Sequence, residues 1–135
     1  MILVDTSAWV EFDRASGSPT EEAVTDLISS RGDLASTEPV LMEVLAGART
    51  DARERDLRRL LTSFGWIRAD AVADFEGAAT LYRQCRAAGI TPRGLIDCMI
   101  ASIAVRSGSV LLAADRDFAA MAAVVPLRLH EATPR

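Results

Sequence analysis

The chain has 135 residues, of which half are apolar and a quarter charged, and its net charge at pH 7 is −4. A chain of this length is typical of one domain, which can bury enough surface to fold without a disulfide framework. The composition excludes disordered, collagen-like and disulfide-scaffold proteins. We predict a single domain over residues 1–135, with a frayed tail at 131–135.

The sequence shows no targeting or membrane-spanning segment. Its longest run without a charge, 118–127, has ten residues, whereas a membrane-spanning helix needs about 18. The N-terminus lacks the basic segment that begins a signal peptide. Two cysteines are too few for a disulfide framework and fit a reducing compartment. We therefore expect a cytoplasmic protein with no membrane contact.

The first half of the chain predicts two short strands and four helices. The first strand is a brief apolar run of the kind buried in a parallel sheet, and the second is a candidate short strand. The helices begin at capping residues or carry a proline in the first turn. In chain order the elements are the strand Ile2–Val4, a helix from Thr6 or Ser7 to Asp13, a helix from Thr20 to Ser30, the strand Leu34–Ser36, a helix from Glu38 to Leu45 and an amphipathic helix from Asp51 to Phe64.

The second half predicts three helices and two strands, with room for one more short strand before them. In chain order these are the helix Ala71–Ala88, the helix Leu95–Val105, the strand Val110–Ala113, the helix Asp115–Ala123 and an edge strand Leu127–Leu129. The alternation predicts a three-layer α/β domain with a short, mainly parallel central sheet flanked by helices. In such sheets, ligands bind beyond the carboxyl ends of the strands.

Four acidic residues occur where an exposed charge is not expected. Asp5 ends the first apolar strand and Asp115 follows the strand Val110–Ala113, so both should lie at the same rim of the sheet. Asp97 is the only charge in the segment 94–105, and Glu43 is the only charge in the segment 39–48. Because an unpaired buried carboxylate is costly, these residues predict a bound cation, a hydrogen-bond network or raised pKa values.

Each of these acids also has a purely structural interpretation. Asp5 can cap the helix that follows it, and Asp115 and Asp117 can cap or charge the first turn of theirs. Asp97 and Glu43 could pair with structural arginines. Taken together, the four acids favour a metal site, because lone acids in apolar settings are hard to satisfy in any other way.

A site made of carboxylates alone suits the hard cations Mg²⁺ and Mn²⁺. Such an ion can activate water and stabilise charge on phosphoryl oxygens. The chain has one histidine, His130, which disfavours a zinc site or Ser/His/Asp catalysis. Response-regulator receivers and haloacid-dehalogenase-type phosphatases also use strand-end aspartates, but both rely on a lysine. All 15 basic residues here are arginine, so metal-dependent phosphodiester hydrolysis is the chemistry that remains.

Four motifs resemble, in order, those of the PIN domain and specifically those of VapC-type toxins. Ile2–Trp9 resembles the opening D-T-[S/N] strand, and Glu43–Gly47 resembles the E-[L/V]-x-x-G helix. Ile96–Ala101 resembles the D-x-x-I-A helix, and Leu111–Phe118 resembles the closing strand with D-x-D-F. The resemblance spans nearly the whole chain.

The resemblance implies a Mg²⁺- or Mn²⁺-dependent endoribonuclease that cuts structured RNA such as tRNA. It also implies a toxin of a toxin–antitoxin pair that forms a homodimer and is inhibited by a cognate antitoxin. By motif, the catalytic and metal-binding acids fall on Asp5, Glu43, Asp97 and Asp115, with Asp117 and Ser7 as possible support. The chain departs from the family at Ala113, where a Thr or Ser is common, and Ser7 could supply a polar contact from the opposite side.

Arginines must supply any phosphate contacts, since no lysine is present and the net charge is negative. Arg93 and Arg116 lie within a few residues of the acids and are candidates for contacts with RNA phosphates. The arginines of Arg49–Arg59 are interpreted mostly as a solvated helix face. The alternative function is a non-catalytic interaction module whose acidic rim binds arginines of a partner protein.

Overall fold

A computed structural model describes residues 1–135 and shows a five-stranded sheet with seven helices. The strands lie in the order β3-β2-β1-β4-β5, and all four neighbouring pairs are parallel. The strands are β1 (Ile2–Val4), β2 (Leu34–Ser36), β3 (Gly65–Trp66), β4 (Val110–Leu112) and β5 (Arg128–Leu129). All four predicted strands are confirmed, and β3 fills the position at which the sequence leaves room for one more.

The seven predicted helices are also confirmed, with ends that differ by a few residues. Helix α1 is capped by Asp5 rather than by Thr6 or Ser7, and the second helix is capped by Ser18 rather than beginning at Thr20. No helix is long and apolar enough to cross a membrane. The helices are α1 (Thr6–Asp13), α2 (Pro19–Ser29), α3 (Glu38–Ala46), α4 (Asp51–Leu61), α5 (Ala73–Ala87), α6 (Leu95–Ser107) and α7 (Asp117–Ala122).

The strand order determines where the helices lie. The chain runs outward from β1 through β2 to β3, then crosses to β4 and β5 on the other side of β1. Because crossovers between parallel strands are right-handed, α1 to α4 cover one face of the sheet and α5 to α7 cover the other. This arrangement is the predicted three-layer α/β fold.

The two central strands, β1 and β4, fix the position of the acidic rim, which is the carboxyl end of the sheet where Asp5 and Asp115 follow these strands. Leu3 pairs with Leu111 and Val4 with Leu112 in a parallel register, and all four side chains are fully buried. Burying each such side chain contributes about 1.5–3 kcal/mol. The N–H of Asp5 donates to the carbonyl of Leu112 at 2.9 Å. The segments that follow β1 and β4 therefore leave the sheet side by side, as predicted for the residues after them.

An ion pair between a buried aspartate and an exposed arginine joins the two helices α5 and α6. Asp74 on α5 is fully buried, and Arg106 on α6 donates to both of its carboxylate oxygens, from Nε at 2.9 Å and from Nη2 at 2.7 Å. Breaking such a pair would leave an uncompensated buried charge. The pair thus fixes α6, whose first turn carries Asp97.

Two residues of the segment 131–135, which the sequence predicts to be a frayed tail, form hydrogen bonds with the rest of the domain. Thr133 is only 2% exposed, accepts a hydrogen bond from the Ala113 N–H at 3.1 Å and donates to the Leu111 carbonyl at 3.3 Å. The Thr20 hydroxyl donates to the Ala132 carbonyl at 3.2 Å. These contacts are long-range in sequence, so local composition did not reveal them. They extend the edge of β4 towards the acidic rim.

Candidate active site at the carboxyl rim of the sheet

Asp5 has a separate environment for each of its carboxylate oxygens. Its Oδ2 accepts hydrogen bonds from the Ser7 N–H at 2.9 Å and the Ser7 hydroxyl at 2.5 Å, which caps α1. Its Oδ1 is buried and has no hydrogen-bond partner. The structural interpretation of Asp5 as a helix cap is therefore correct for one oxygen. The other oxygen has the unsatisfied, buried character that a bound cation would relieve.

The electrostatics of Asp5 show which groups surround it. Burial raises the pKa of Asp5 to about 7, and the two hydrogen bonds from Ser7 counteract part of this rise. The like charges of Asp97 and Glu43 raise the pKa further. Three of the acids predicted from the sequence therefore share one electrostatic environment, although they are far apart along the chain.

Asp97 lies in the first turn of α6 and is partly buried. Burial raises its pKa to about 6, and the negative charges of nearby acids add to this effect. In order of decreasing effect, those acids are Glu43, Asp115 and Asp117. The positive charge of Arg93 acts in the opposite direction. Asp97 therefore interacts electrostatically both with Glu43 on α3 and with the two acids that follow β4.

Glu43 is held in place by a residue whose role the sequence analysis missed. The hydroxyl of Thr6 donates to Glu43 Oε1 at 2.7 Å, across 37 positions of sequence. Thr6 directly follows Asp5, so the same motif that places one acid at the rim also orients a second. The only sequence signal for this contact is the position of Thr6 within the D-T-S motif.

Asp115 and Asp117 lie together after β4, and Asp115 precedes α7 rather than beginning it. Asp115 Oδ1 accepts the Asp117 N–H at 2.9 Å, but the N-cap residue of α7 is Arg116, so Asp115 does not cap the helix as its structural interpretation predicted. Arg93 contacts both acids, with its Nη1 3.5 Å from Asp115 Oδ2 and its Nε 3.0 Å from Asp117 Oδ2. The last motif therefore contributes two acids that both form ion pairs with the guanidinium group of Arg93.

The structure brings no three His, Cys, Asp or Glu side chains into a ready-made metal-binding cluster. Several of the carboxylate oxygens are instead turned towards Ser7, Thr6 and Arg93. The donor set nevertheless fits a hard cation, because the rim offers carboxylate oxygens alone and Asp5 Oδ1 has no partner. The acids share the rim but are not preassembled, so ion binding requires some of these side chains to rotate.

Two grooves flank the acids on either side of α1. One, of about 600 Å³, is lined by Ser7, Asp115, Asp117, Arg93 and Arg116 among others. The second, of about 670 Å³, runs from Glu43 past Arg49 and Arg53. The first groove brings both predicted phosphate-contacting arginines beside the last-motif acids. The second shows that two arginines of the predicted solvated face border the site, which sequence reasoning missed.

The fold is that of a parallel α/β protein, with Asp5 and Asp115 following its two central strands. A model of the PIN domain family matches residues 2–124, and the chain belongs to this family. Ribonuclease VapC11 of Mycobacterium tuberculosis and VapC ribonuclease Mb1587 of Mycobacterium bovis are each 41% identical to it over 129 residues. The matches cover 95% of this chain and 96% of theirs. The resemblance stated from the motifs is confirmed.

Solved structures with low sequence identity share the same fold. VapBC2 from Rickettsia felis, bound to a DNA fragment from its promoter, superposes with a TM-score of 0.73 at 18% identity, covering 96% of this chain and 98% of that one. The sarcin-ricin loop cleaving toxin VapC20 of Mycobacterium tuberculosis gives 0.69 at 21% identity, covering 95% and 99%. PIN-domain ribonucleases generally depend on a divalent metal ion.

Proposed function

We propose that this chain is the toxin of a toxin–antitoxin pair and acts as a Mg²⁺- or Mn²⁺-dependent endoribonuclease on structured RNA such as tRNA. The ribonuclease activity is supported by 41% identity to VapC ribonucleases over 95% of the chain. The single structural observation that carries the proposal is Asp5 Oδ1, a buried carboxylate oxygen without a partner at the end of a central strand.

The metal-binding residues in this proposal are Asp5, Glu43, Asp97 and Asp115, and Asp117 supports them. Ser7 and Thr6 are positioning residues, because their hydroxyls hold the carboxylates of Asp5 and Glu43. When bound, a divalent ion supplies an activated water and stabilises negative charge on the phosphoryl oxygens.

The arginines of the first groove bind the substrate in this proposal. Arg93 and Arg116 border the same groove as Asp115, so their guanidinium groups can contact phosphates next to the bond that is cut. Hydrogen bonds from guanidinium groups to phosphate are charge-assisted, and they position the backbone without reading its sequence. These two residues therefore provide a local positive charge for binding RNA phosphates in a chain whose net charge is negative.

The partners proposed for the chain are an RNA substrate, a cognate antitoxin and a second copy of the chain in a homodimer. Structural neighbours include VapBC proteins from Rickettsia felis and Salmonella typhimurium bound to DNA, which supports a toxin–antitoxin context. Cleavage of cellular RNA by such a toxin would take place in the cytoplasm.

Mapping RNA ends in cells after brief induction tests the proposal and identifies the target. The parent should generate new 5′ ends at one or a few sites in structured RNA, and Asp5→Asn should generate none while accumulating to the same level. The alternative, an interaction module that binds partner arginines, predicts no new ends with either protein. New ends that appear equally with Asp5→Asn would contradict the assignment of the site.

A further inference from the structure

Arg93 is the only basic side chain that forms ion pairs with the acids of the candidate active site. It lies in the loop between α5 and α6, four residues before Asp97, and its side chain is 74% exposed. Because the guanidinium group is exposed to solvent, its ion pairs with the acids are weak and exchange readily.

The contacts of Arg93 occupy oxygens that a metal ion would use. Asp115 Oδ1 already accepts the N–H of Asp117, so Oδ2 is the oxygen of Asp115 that is left for a cation. Arg93 Nη1 faces this oxygen at 3.5 Å, and Arg93 Nε lies 3.0 Å from Asp117 Oδ2. A divalent ion and this guanidinium therefore compete for the same carboxylates.

The charge of Arg93 also extends to the centre of the rim. Burial raises the pKa of Asp97, and the positive charge of Arg93 opposes that rise. A single arginine thus partly neutralises three acids that would otherwise repel one another. In the absence of metal, the guanidinium group of Arg93 is therefore the cation that lies next to these acids.

We propose that Arg93 is an internal counter-ion, which neutralises Asp115 and Asp117 until a divalent ion displaces it from them. The inference rests on the proposed function, because it takes Asp115 to be a metal ligand. Displacement leaves the guanidinium in the groove that it shares with Arg116. There, a phosphate of the substrate can replace the carboxylates as its partner.

Calorimetric titration of the full chain with Mn²⁺ alone tests this exchange. The parent, Arg93→Gln and Arg116→Gln are compared at one ionic strength and at about pH 8, where carboxyl groups with raised pKa values are mostly ionised. Arg116→Gln is the matched control, because it removes the same charge from the same groove but breaks no ion pair with an acid. Thermal unfolding of each variant checks that it is folded.

Arg93→Gln is expected to bind Mn²⁺ about threefold or more tightly than the parent, a change of the size that exposed ion pairs produce. Arg116→Gln should change the affinity less than about twofold, because Arg116 forms no ion pair that competes with the metal ion for a carboxylate. A purely structural role for Arg93 would weaken Mn²⁺ binding when the residue is replaced, so tightening distinguishes the two roles.

The outcomes separate this inference from the proposed function. If the parent binds Mn²⁺ and Arg93→Gln binds it no more tightly than Arg116→Gln does, the counter-ion role is wrong while the metal site stands. If the parent binds no Mn²⁺, both are wrong.

Discussion

The hydroxyl of Ser7 accepts a hydrogen bond from the N–H of Ala114 at 2.9 Å while it donates to Asp5 Oδ2 at 2.5 Å. One side chain on α1 therefore joins the acid after β1 to the segment after β4. Ala114 is next to Ala113, the position at which the resemblance to the closing motif leads us to expect Thr or Ser. The chain thus has a hydroxyl at this junction, supplied from α1 rather than from the strand.

Replacing Ser7 with alanine should weaken both the fold and the site. The change removes the bridge and leaves the Ala114 N–H without its partner, at a cost of about 1–3 kcal/mol. Asp5 also loses a hydrogen bond that orients its carboxylate, so we expect RNA cleavage to fall. Denaturant unfolding and a cleavage assay on Ser7→Ala measure the two effects. Ser29→Ala, an exposed position without a side-chain hydrogen bond, should match the parent in both.

Asp97→Asn should abolish toxicity on expression while the protein remains folded. Asparagine has nearly the same shape but lacks the charge that a divalent ion requires, so we expect cleavage to fall by about 100-fold or more. Asp56→Asn is the control, because Asp56 is an exposed aspartate on α4 with no ion pair. A folded Asp97→Asn protein that stops growth as well as the parent does would show that Asp97 is not part of the site.

Within the last motif, Asp115→Asn should reduce cleavage more than Asp117→Asn. The Asp115 side chain is 18% exposed against 35% for Asp117, and its charge acts more strongly on Asp97. Asparagine at 115 can still accept the N–H of residue 117 through its side-chain oxygen, so the turn should persist. Cleavage rates of the two variants at saturating Mn²⁺ decide the order. Equal losses would contradict the predicted order, and reversed losses would place the functional carboxylate at 117.

The metal-free protein should become more stable as the pH falls from about 8 to about 5. The pKa of Asp5 is about 7 and that of Asp97 about 6, whereas both groups titrate near 3.9 when unfolded. The folded state therefore retains these protons to higher pH, so their stabilising contribution is full below about 4 and is lost as the pH rises through 6 to 7. Melting temperatures in EDTA across this range measure the effect.

The same measurement distinguishes Asp97 from an ordinary surface acid. In EDTA at about pH 8, Asp97→Asn should melt a few degrees above the parent, because one repelling charge is gone. Mn²⁺ at about 100 times its dissociation constant should stabilise the parent by about 2.7 kcal/mol and the variant by much less. If Asp97→Asn melts below the parent in EDTA and responds to Mn²⁺ as the parent does, Asp97 does not bind the metal.

Local patterns in the sequence were sufficient to predict which acids lie at the rim. The apolar runs before Asp5 and Asp115 identify buried parallel strands, and such strands place the residues after them at one edge. The tail contains contacts that the sequence did not predict, because the hydroxyl of Thr133 bonds with Leu111 and Ala113, about 20 residues away. Its polar composition is typical of a frayed end and contains no sign of those partners.

The contacts that orient the acids could not be predicted from local sequence patterns either, because they also join residues that are far apart along the chain. The hydrogen bond from Thr6 to Glu43 joins residues 37 positions apart, and it depends on how α1 packs against α3. The ion pairs of Arg93 depend on the path of the loop between α5 and α6. Sequence proximity to Asp97 made Arg93 a candidate for phosphate contact, but it did not predict that its partners are Asp115 and Asp117.

Cleavage of structured RNA by the purified chain, with Mn²⁺ and with EDTA, tests the central claim most directly. Total tRNA is incubated with the parent and with Asp5→Asn purified in parallel, so that a contaminating ribonuclease would show equally in both. We expect discrete products from the parent in Mn²⁺, none from the parent in EDTA, and none from Asp5→Asn in either condition. Cleavage by the parent that persists unchanged in EDTA, with Asp5→Asn inactive, would contradict a metal-dependent site at the carboxyl rim.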